Sequence, residues 1–263
     1  MEPVELKNRM ALSALSIIII LTAALLTGAL TFTFPLTKLR RRGSLLIARA
    51  CGKTLTGVLS ESLERGDAAH FDLSSGSSAM FSATAIPGLE SANRIARRVA
   101  AADSAPVFTA DDGFGSAVLE RAVCSGYRAV ELDAGYEPTT VRTAGNDAIS
   151  HQAVTLTAID ETHEPIHLSV GSAGSEIALQ DFSFAANESV LIAGDNLQAQ
   201  AAGIVAAEET FIGERVYALP ALVRKADRTA GPFALRTLIV MDVLRWIVIA
   251  ALIASVVFLR VFG

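Results

Sequence analysis

Ser189-Val190-Leu191-Ile192-Ala193, then Gly194-Asp195-Asn196, then Leu197 to Glu208, is the stretch that decides the fold. A short apolar run bounded by turn residues reads as a strand, and the Ala-rich segment after it has the length of a helix. Gly194 ends the strand, and Asp195 stands three residues before Gln198, the spacing of a capping box. The same unit recurs upstream. Pro106-Val107-Phe108-Thr109-Ala110 is followed by Asp111-Asp112-Gly113 and a helical stretch from Phe114 to Cys124, and Ile166-His167-Leu168-Ser169-Val170 by Gly171-Ser172 and a helix from Ser175 to about Phe184. Strand, glycine turn and helix, three times over, predict βα units around a mainly parallel sheet, a three-layer Rossmann-like α/β domain whose strand order stays open. His70-Phe71-Asp72-Leu73 alternates like a further short strand, Ser74 to Ser82 is Ser/Gly-rich and loop-like, Pro87 opens a helix to about Ala102, and Ala148 to Ile159 is helical. Tyr127 to Leu132 adds another strand or helix.

Two apolar runs bracket this region. Ala11 to Phe34 carries no charge, enough at about 1.5 Å per residue to cross a bilayer core of roughly 30 Å. Trp246 to Gly263 is broken only by Arg260, whose long side chain can reach the headgroups, and this second span begins near Leu238. Lys38, Arg40, Arg41, Arg42 and Arg49 follow the first run, against Lys7 and Arg9 before it; Arg224, Lys225, Arg228 and Arg236 precede the second. Basic residues stay on the cytoplasmic side, so the expectation is a two-pass inner-membrane protein with its middle in the cytoplasm and both termini outside. A cleaved signal fits less well, because the run is long, lacks a small-x-small site and is followed by a basic cluster. The expected division is a membrane helix over 1–36, a juxtamembrane helical segment and loop over 37–84, the α/β domain over 85–232 and a second membrane helix over 233–263. Cys51 and Cys124 are too few to staple a secreted fold and read as small buried residues.

The motifs are weighed by the structure each chemistry requires. His163-Glu164-Pro165-Ile166-His167 matches the pattern of zinc proteases, but those need both histidines on one continuous helix, and Pro165 breaks it just where a strand begins. Gly52-Lys53-Thr54 lacks the first glycine and the preceding strand of a P-loop, because position 47 is Ile47. Gly113-Phe114-Gly115 lacks the third glycine of a dinucleotide fingerprint, and no Ser or Cys sits in a nucleophile motif. His151 stands alone and reads as solvated or capping. What remains is the set of strand-to-helix turns, which a parallel sheet gathers at its carboxyl edge: Asp111, Asp112, Ser172, Ser175, Glu176, Asp195 and Asn196. They are candidates to hold a phosphate-bearing ligand or a divalent metal, and capping of the helices also accounts for them.

Over about residues 85–242 the chain resembles an uncharacterised bacterial membrane-associated family, a domain of unknown function. The likeness rests on Ile86-Pro87-Gly88-Leu89-Glu90, Pro106-Val107, Gly171 with Glu176, Ile192-Ala193-Gly194 with Gln200, and Ile212-Gly213-Glu214 before Tyr217. The sequence departs from that pattern at Asp195, where the family has Thr, and at Arg215, where it has Glu. The resemblance implies the architecture and membrane anchoring and no catalytic residue.

At 263 residues, 51% hydrophobic and net charge −5, the chain can bury a sizeable core and lacks the basic face a nucleic-acid partner demands. The expected function is a membrane-anchored cytoplasmic structural or assembly module. It is expected to be homo-oligomeric, in contact with the lipid bilayer and with a membrane-protein partner, and without a cofactor. The alternative is an enzyme or sensor using the carboxyl-edge turns.

Overall fold

A computed structural model of the chain describes residues 69–74, 82–101, 106–145, 147–162, 166–179, 189–225 and 243–249, with 57, 64 and 65. Both expected membrane spans lie almost wholly outside these residues, as do most of the expected juxtamembrane helices and the Ser/Gly loop. Among the described residues no helix is long and apolar enough to cross a membrane. The chain divides into two compact units, Ile47–Gly231 and a second made of Met1–Leu46 with Pro232–Gly263. In the second unit residues 243–249 are helical and expose Trp246, Ile247 and Val248.

The first unit holds six strands, β1 (Ala69–Ser74), β2 (Val107–Ala110), β3 (Val141–Thr143), β4 (Ile166–Gly171), β5 (Ser189–Gly194) and β6 (Glu209–Thr210). All neighbours pair parallel, in the order β3-β2-β1-β4-β5-β6. This is the doubly wound order of Rossmann-like folds, with the chain reversing its direction of travel between β1 and β4. The helices are α1 (Ala85–Val99), α2 (Gly113–Ala129), α3 (Ala148–Thr162), α4 (Leu197–Ala206) and α5 (Leu219–Lys225). The strands expected at 106–110, 166–170 and 189–193 are β2, β4 and β5. Tyr127 to Leu132 is the end of α2 and the turn after it. The sheet's central strand, β1, lies before residue 85, so the domain takes in more chain than the expected 85–232.

Alternation along the strands sorts the two faces of the sheet. Odd-numbered Phe71 and Leu73 of β1 join Phe108, Leu168 and Val170 in one apolar layer against Ile95 and Val99 of α1, Leu119 and Val123 of α2, and Leu219 and Leu222 of α5. Each such side chain contributes about 1.5–3 kcal/mol of burial. The helices of this layer approach closely at Gly126, where a Cβ would stand 2.6 Å from the Asn93 carbonyl oxygen and 2.8 Å from Ala96 Cβ. The other face is covered by α3, by helical backbone at 177–179 and by α4. Its apolar cluster is small: Ala173, Ile177, Ile192 and Ala199, with Leu156 and Ala202 against them.

Two devices shape the carboxyl edge. Gly171 has φ +142°, and a Cβ there would overlap the Ser74 carbonyl oxygen, so glycine alone lets β4 end against β1. Beyond the strands, Ser172 N–H donates to Ser74 O (2.9 Å), Asp195 N–H to Gly171 O (3.2 Å) and Ala144 N–H to Ala110 O (2.8 Å), which carries the ladder into the turns.

Candidate functional site

The residues that alternate with these along the same strands build a polar layer in the middle of the sheet. Register sets His70 opposite His167, and Asp72 opposite Thr109 on one side and Ser169 on the other. All five are buried, as are His151, Gln152 and Thr155, which α3 presents to them. Strands of a parallel sheet covered on both sides ordinarily read as continuous apolar runs, so this layer departs from what packing alone requires.

Asp72 is the hub. Thr109 Oγ1 donates to its Oδ1 at 2.6 Å, Ser169 Oγ to its Oδ2 at 3.4 Å, and His151 Nε2 lies 3.0 Å from Oδ1 and 3.1 Å from Oδ2. Burial on its own raises a carboxyl pKa, but the His151 charge and hydrogen bond, with His70 and the Thr109 hydroxyl, hold Asp72 well below the usual carboxylate range. Asp72 is therefore an anion that only accepts.

That fixes the protons along a chain of four side chains. Thr109 gives its one hydroxyl proton to Asp72, so its oxygen accepts from His70 Nε2–H at 3.1 Å. Burial, and the His167 ring beside it, push the His70 pKa well below its ordinary 6.5, so the ring is neutral and its Nδ1 is an acceptor. His167 Nδ1–H then donates to His70 Nδ1 at 2.7 Å, between rings 11° from parallel. Of the chain's four histidines, His151 thus meets Asp72 directly and His70 and His167 are linked to it through Thr109; His167, the second histidine of the protease-like string, stands in strand β4.

His151 corrects the sequence reading, which took it as solvated or capping; it is 2% exposed and reaches across 79 positions to Asp72. Burial pushes its pKa down, and Asp72 by charge and hydrogen bond, with Asp111 and Glu176, outweighs that and raises it above 6.5. Its Nδ1, Gln152 Oε1 and Thr155 Oγ1 are buried without a partner. The signal that could have found this layer was polar residues at alternate positions, 70 and 72, 167 and 169, in runs otherwise apolar.

The seven residues expected at the carboxyl edge do lie in its turns, and most are engaged locally. Asp112 caps α2, accepting from Gly115 N–H. Asn196, and not Asp195, caps α4, accepting from Gln198 N–H at 2.9 Å; this corrects the expected capping box, because the helix starts one residue later. Asp195 instead accepts from Thr84 Oγ1 at 3.1 Å, tying the entry of α1 to the end of β5. Glu176 accepts from Gly174 N–H at 2.6 Å, and Ser172 extends the β1–β4 ladder through its backbone. Ser175 joins by its carbonyl, accepting from Ala178 N–H at 3.1 Å. Asp111 is buried, and the charges of Asp111 and Glu176 act on His151, so the set divides between caps and carboxylates that favour the proton on that imidazole. Among the described residues no group of three or more His, Cys, Asp or Glu side chains is spaced to hold a metal ion. No protein-family model matches the chain, and neither a curated protein nor a solved structure matches it.

Proposed function

We propose that the chain is a membrane-tethered α/β module that assembles with copies of itself through the outer surface of α3 and α4. The observation that carries this reading is inverted amphipathicity. The helix α3 buries His151, Gln152 and Thr155 and exposes Ile149 (71%) and Val154; α4 buries Gln200 and exposes Leu197 (80%), Ile204 (63%) and Val205 (74%). Leu197, Ala201, Ile204 and Val205 follow the i, i+4, i+7, i+8 spacing of an apolar stripe that points away from its own sheet. Apolar surface of this kind on a folded domain is characteristic of an interface.

Charge favours a second copy over the lipid surface as its cover. Residues 148–162 and 197–206 contain no Lys or Arg, and Asp147, Asp195, Glu208 and Glu209 flank them, whereas anionic headgroups attract basic segments. The small exposed residue Ala201 of α4 lets a partner helix approach closely. The tether rests on the two apolar runs and their basic flanks, and the exposed apolar side chains at 246–248 support it.

Light scattering of the detergent-solubilised protein is expected to give more than one copy per particle, with I204E/V205E shifting it to the monomer at unchanged circular dichroism. A wild-type monomer at all concentrations would overturn the reading.

A second reading, a ligand site at the carboxyl edge, is favoured by the point of chain reversal between β1 and β4, beneath which Asp72 bonds His151 and the charges of Asp111 and Glu176 act on it. The caps already occupy backbone N–H groups of α2 and α4, and the surrounding charges are mostly negative, so a cation-bearing ligand suits this edge better than a phosphate. Replacing Asp111, Asp112 and Asp195 by Asn is expected to abolish such binding with the fold retained.

A further inference from the structure

We propose that assembly through the α3–α4 surface is gated by the proton on His151, which clamps α3 to the sheet at Asp72. This inference rests on the self-assembly reading and supplies its regulation.

The geometry makes one imidazole the fastener of an interface helix. His151 Nε2 meets both oxygens of Asp72, and the two side chains are 2% and 0% exposed. Ile149 and Val154, on the outer side of the same helix, belong to the proposed interface. Among the described side chains, the inner side of α3 is largely polar, since His151, Gln152 and Thr155 occupy positions where a helix ordinarily places its apolar stripe. Among the described side chains of α3, Leu156 joins the small cluster with Ile177, Ile192 and Ala199.

The groups that face the clamp differ in sign. From β1 come Asp72 and His70, from the end of β2 Asp111, and from the turn after β4 Glu176; Asp72, Asp111 and Glu176 favour the proton on His151. His167 of β4 and Arg142 of β3 act on His70, keeping it neutral. On α3 itself Asp147 bonds Ile149 N–H, Ser150 N–H and the Ser150 hydroxyl at the helix start. The segment 197–206 contributes no titratable group. When His151 loses its proton its Nε2–H still reaches Asp72, but the buried carboxylate is left with no compensating charge and with Asp111 and Glu176 nearby. Removing one charge of a buried pair is strongly unfavourable, and the relief available is for α3 to lift from the sheet and admit water. The outer face of α3 then no longer presents Ile149 and Val154 in register with α4.

The direction follows from which form the assembled state holds. Assembly favours charged His151, so it is complete on the acid side and weakens as pH rises through the raised pKa of this group. For each proton released, the association constant falls by up to about tenfold per pH unit above that pKa.

The test is light scattering of the detergent-solubilised full chain between about pH 6 and pH 9, the range in which an imidazole of raised pKa titrates. Wild type is expected to be assembled at the acid end and to dissociate toward the alkaline end. His151→Gln, which keeps a side-chain N–H but no titratable charge, is expected to flatten the profile. A wild-type profile that is flat while assembly persists, or a His151→Gln profile as steep as wild type, overturns the gate and leaves the assembly reading standing; a monomer at every pH overturns both. Should His151→Gln fail to fold, the imidazole titration of wild type read by NMR decides: the His151 midpoint must coincide with the dissociation midpoint, and a separation between them overturns the proposal.

Discussion

One set of strands supplies both faces of the sheet, and the two faces handle burial in opposite ways. The face under α1, α2 and α5 is apolar inside, and α2 exposes Arg121 and Arg128 on its outer side. The face under α3 and α4 is polar inside and apolar outside, with no Lys or Arg on either helix. Burial alone explains the first face. The second holds a carboxylate and three imidazoles where Leu or Val would have packed without any pairing requirement, and it leaves apolar surface in solvent that the fold does not use. A layer with that arrangement stabilises its own domain less than it could, so its residues answer to something outside the domain.

Single truncations are the bluntest way to test the contrast. Phe71→Ala in the apolar layer is expected to cost about 3–5 kcal/mol in urea unfolding, from lost transfer energy and the cavity left behind. Asp72→Ala, one residue along the strand, is expected to cost a similar 3–5 kcal/mol or so, but by stranding the His151 charge. The two separate in a double substitution: Asp72→Leu with His151→Leu should recover most of that loss, since a matched apolar pair replaces a matched ionic one. If it costs as much as the two single changes added together, the polar layer is a stabilising core in its own right and the contrast between the faces fails.

Acid and base titrations sharpen the comparison. His70 has its pKa lowered in the fold, so the unfolded chain takes up more protons and stability falls as pH drops from 6.5 through the lowered value. Asp72, also lowered, contributes stability that is lost as pH falls from 3.8. His151 is raised, so its contribution is present below 6.5 and is lost as pH rises through the raised value. Urea-unfolding stability is therefore expected to peak around the ordinary histidine pKa and to decline on both sides. Phe71→Leu should lower that curve without changing its shape, and Thr109→Val should change its acid limb.

Smaller effects lie at the edges. Asp112→Ala removes the cap of α2 and is expected to cost about 0.5–2 kcal/mol in the same urea measurement. Ile204→Glu on the outer face of α4 should leave unfolding within about 0.5 kcal/mol of wild type while weakening association. Destabilisation well beyond that would mean that Ile204 supports its own domain and is no docking residue.

The parts legible in sequence were those with a local signature. Apolar runs of four to six residues ended by glycine and a capping side chain identified β2, β4 and β5 with their turns, because a βα unit is specified by neighbours in the chain. The edge strands β3 and β6, three residues and two residues long, are too short to show a pattern. In His70-Phe71-Asp72-Leu73 the alternation marked a short strand, but not that both faces of β1 are buried. That distinction depends on Thr109, His151, His167 and Ser169, which lie 37 to 97 positions from their partners in β1. The carboxyl-edge turns were found because capping residues have short-range spacing, and the layer beneath them was missed because its pairing is wholly long-range. His151 illustrates the point: a lone histidine on a helix has no sequence feature that reveals a carboxylate 79 positions away.

The order of donors and acceptors from His167 through His70 and Thr109 to Asp72 gives the layer a polarity. Each hydrogen has a single address, so the ring tautomers of two histidines are dictated by an oxygen that neither of them touches. A substitution or a ligand that altered the charge of Asp72 would free the threonine hydroxyl to turn, and the message would arrive on the neighbouring strand as a different nitrogen bearing the hydrogen. The sheet interior thereby carries information sideways, perpendicular to the strands, with no backbone atom having to move.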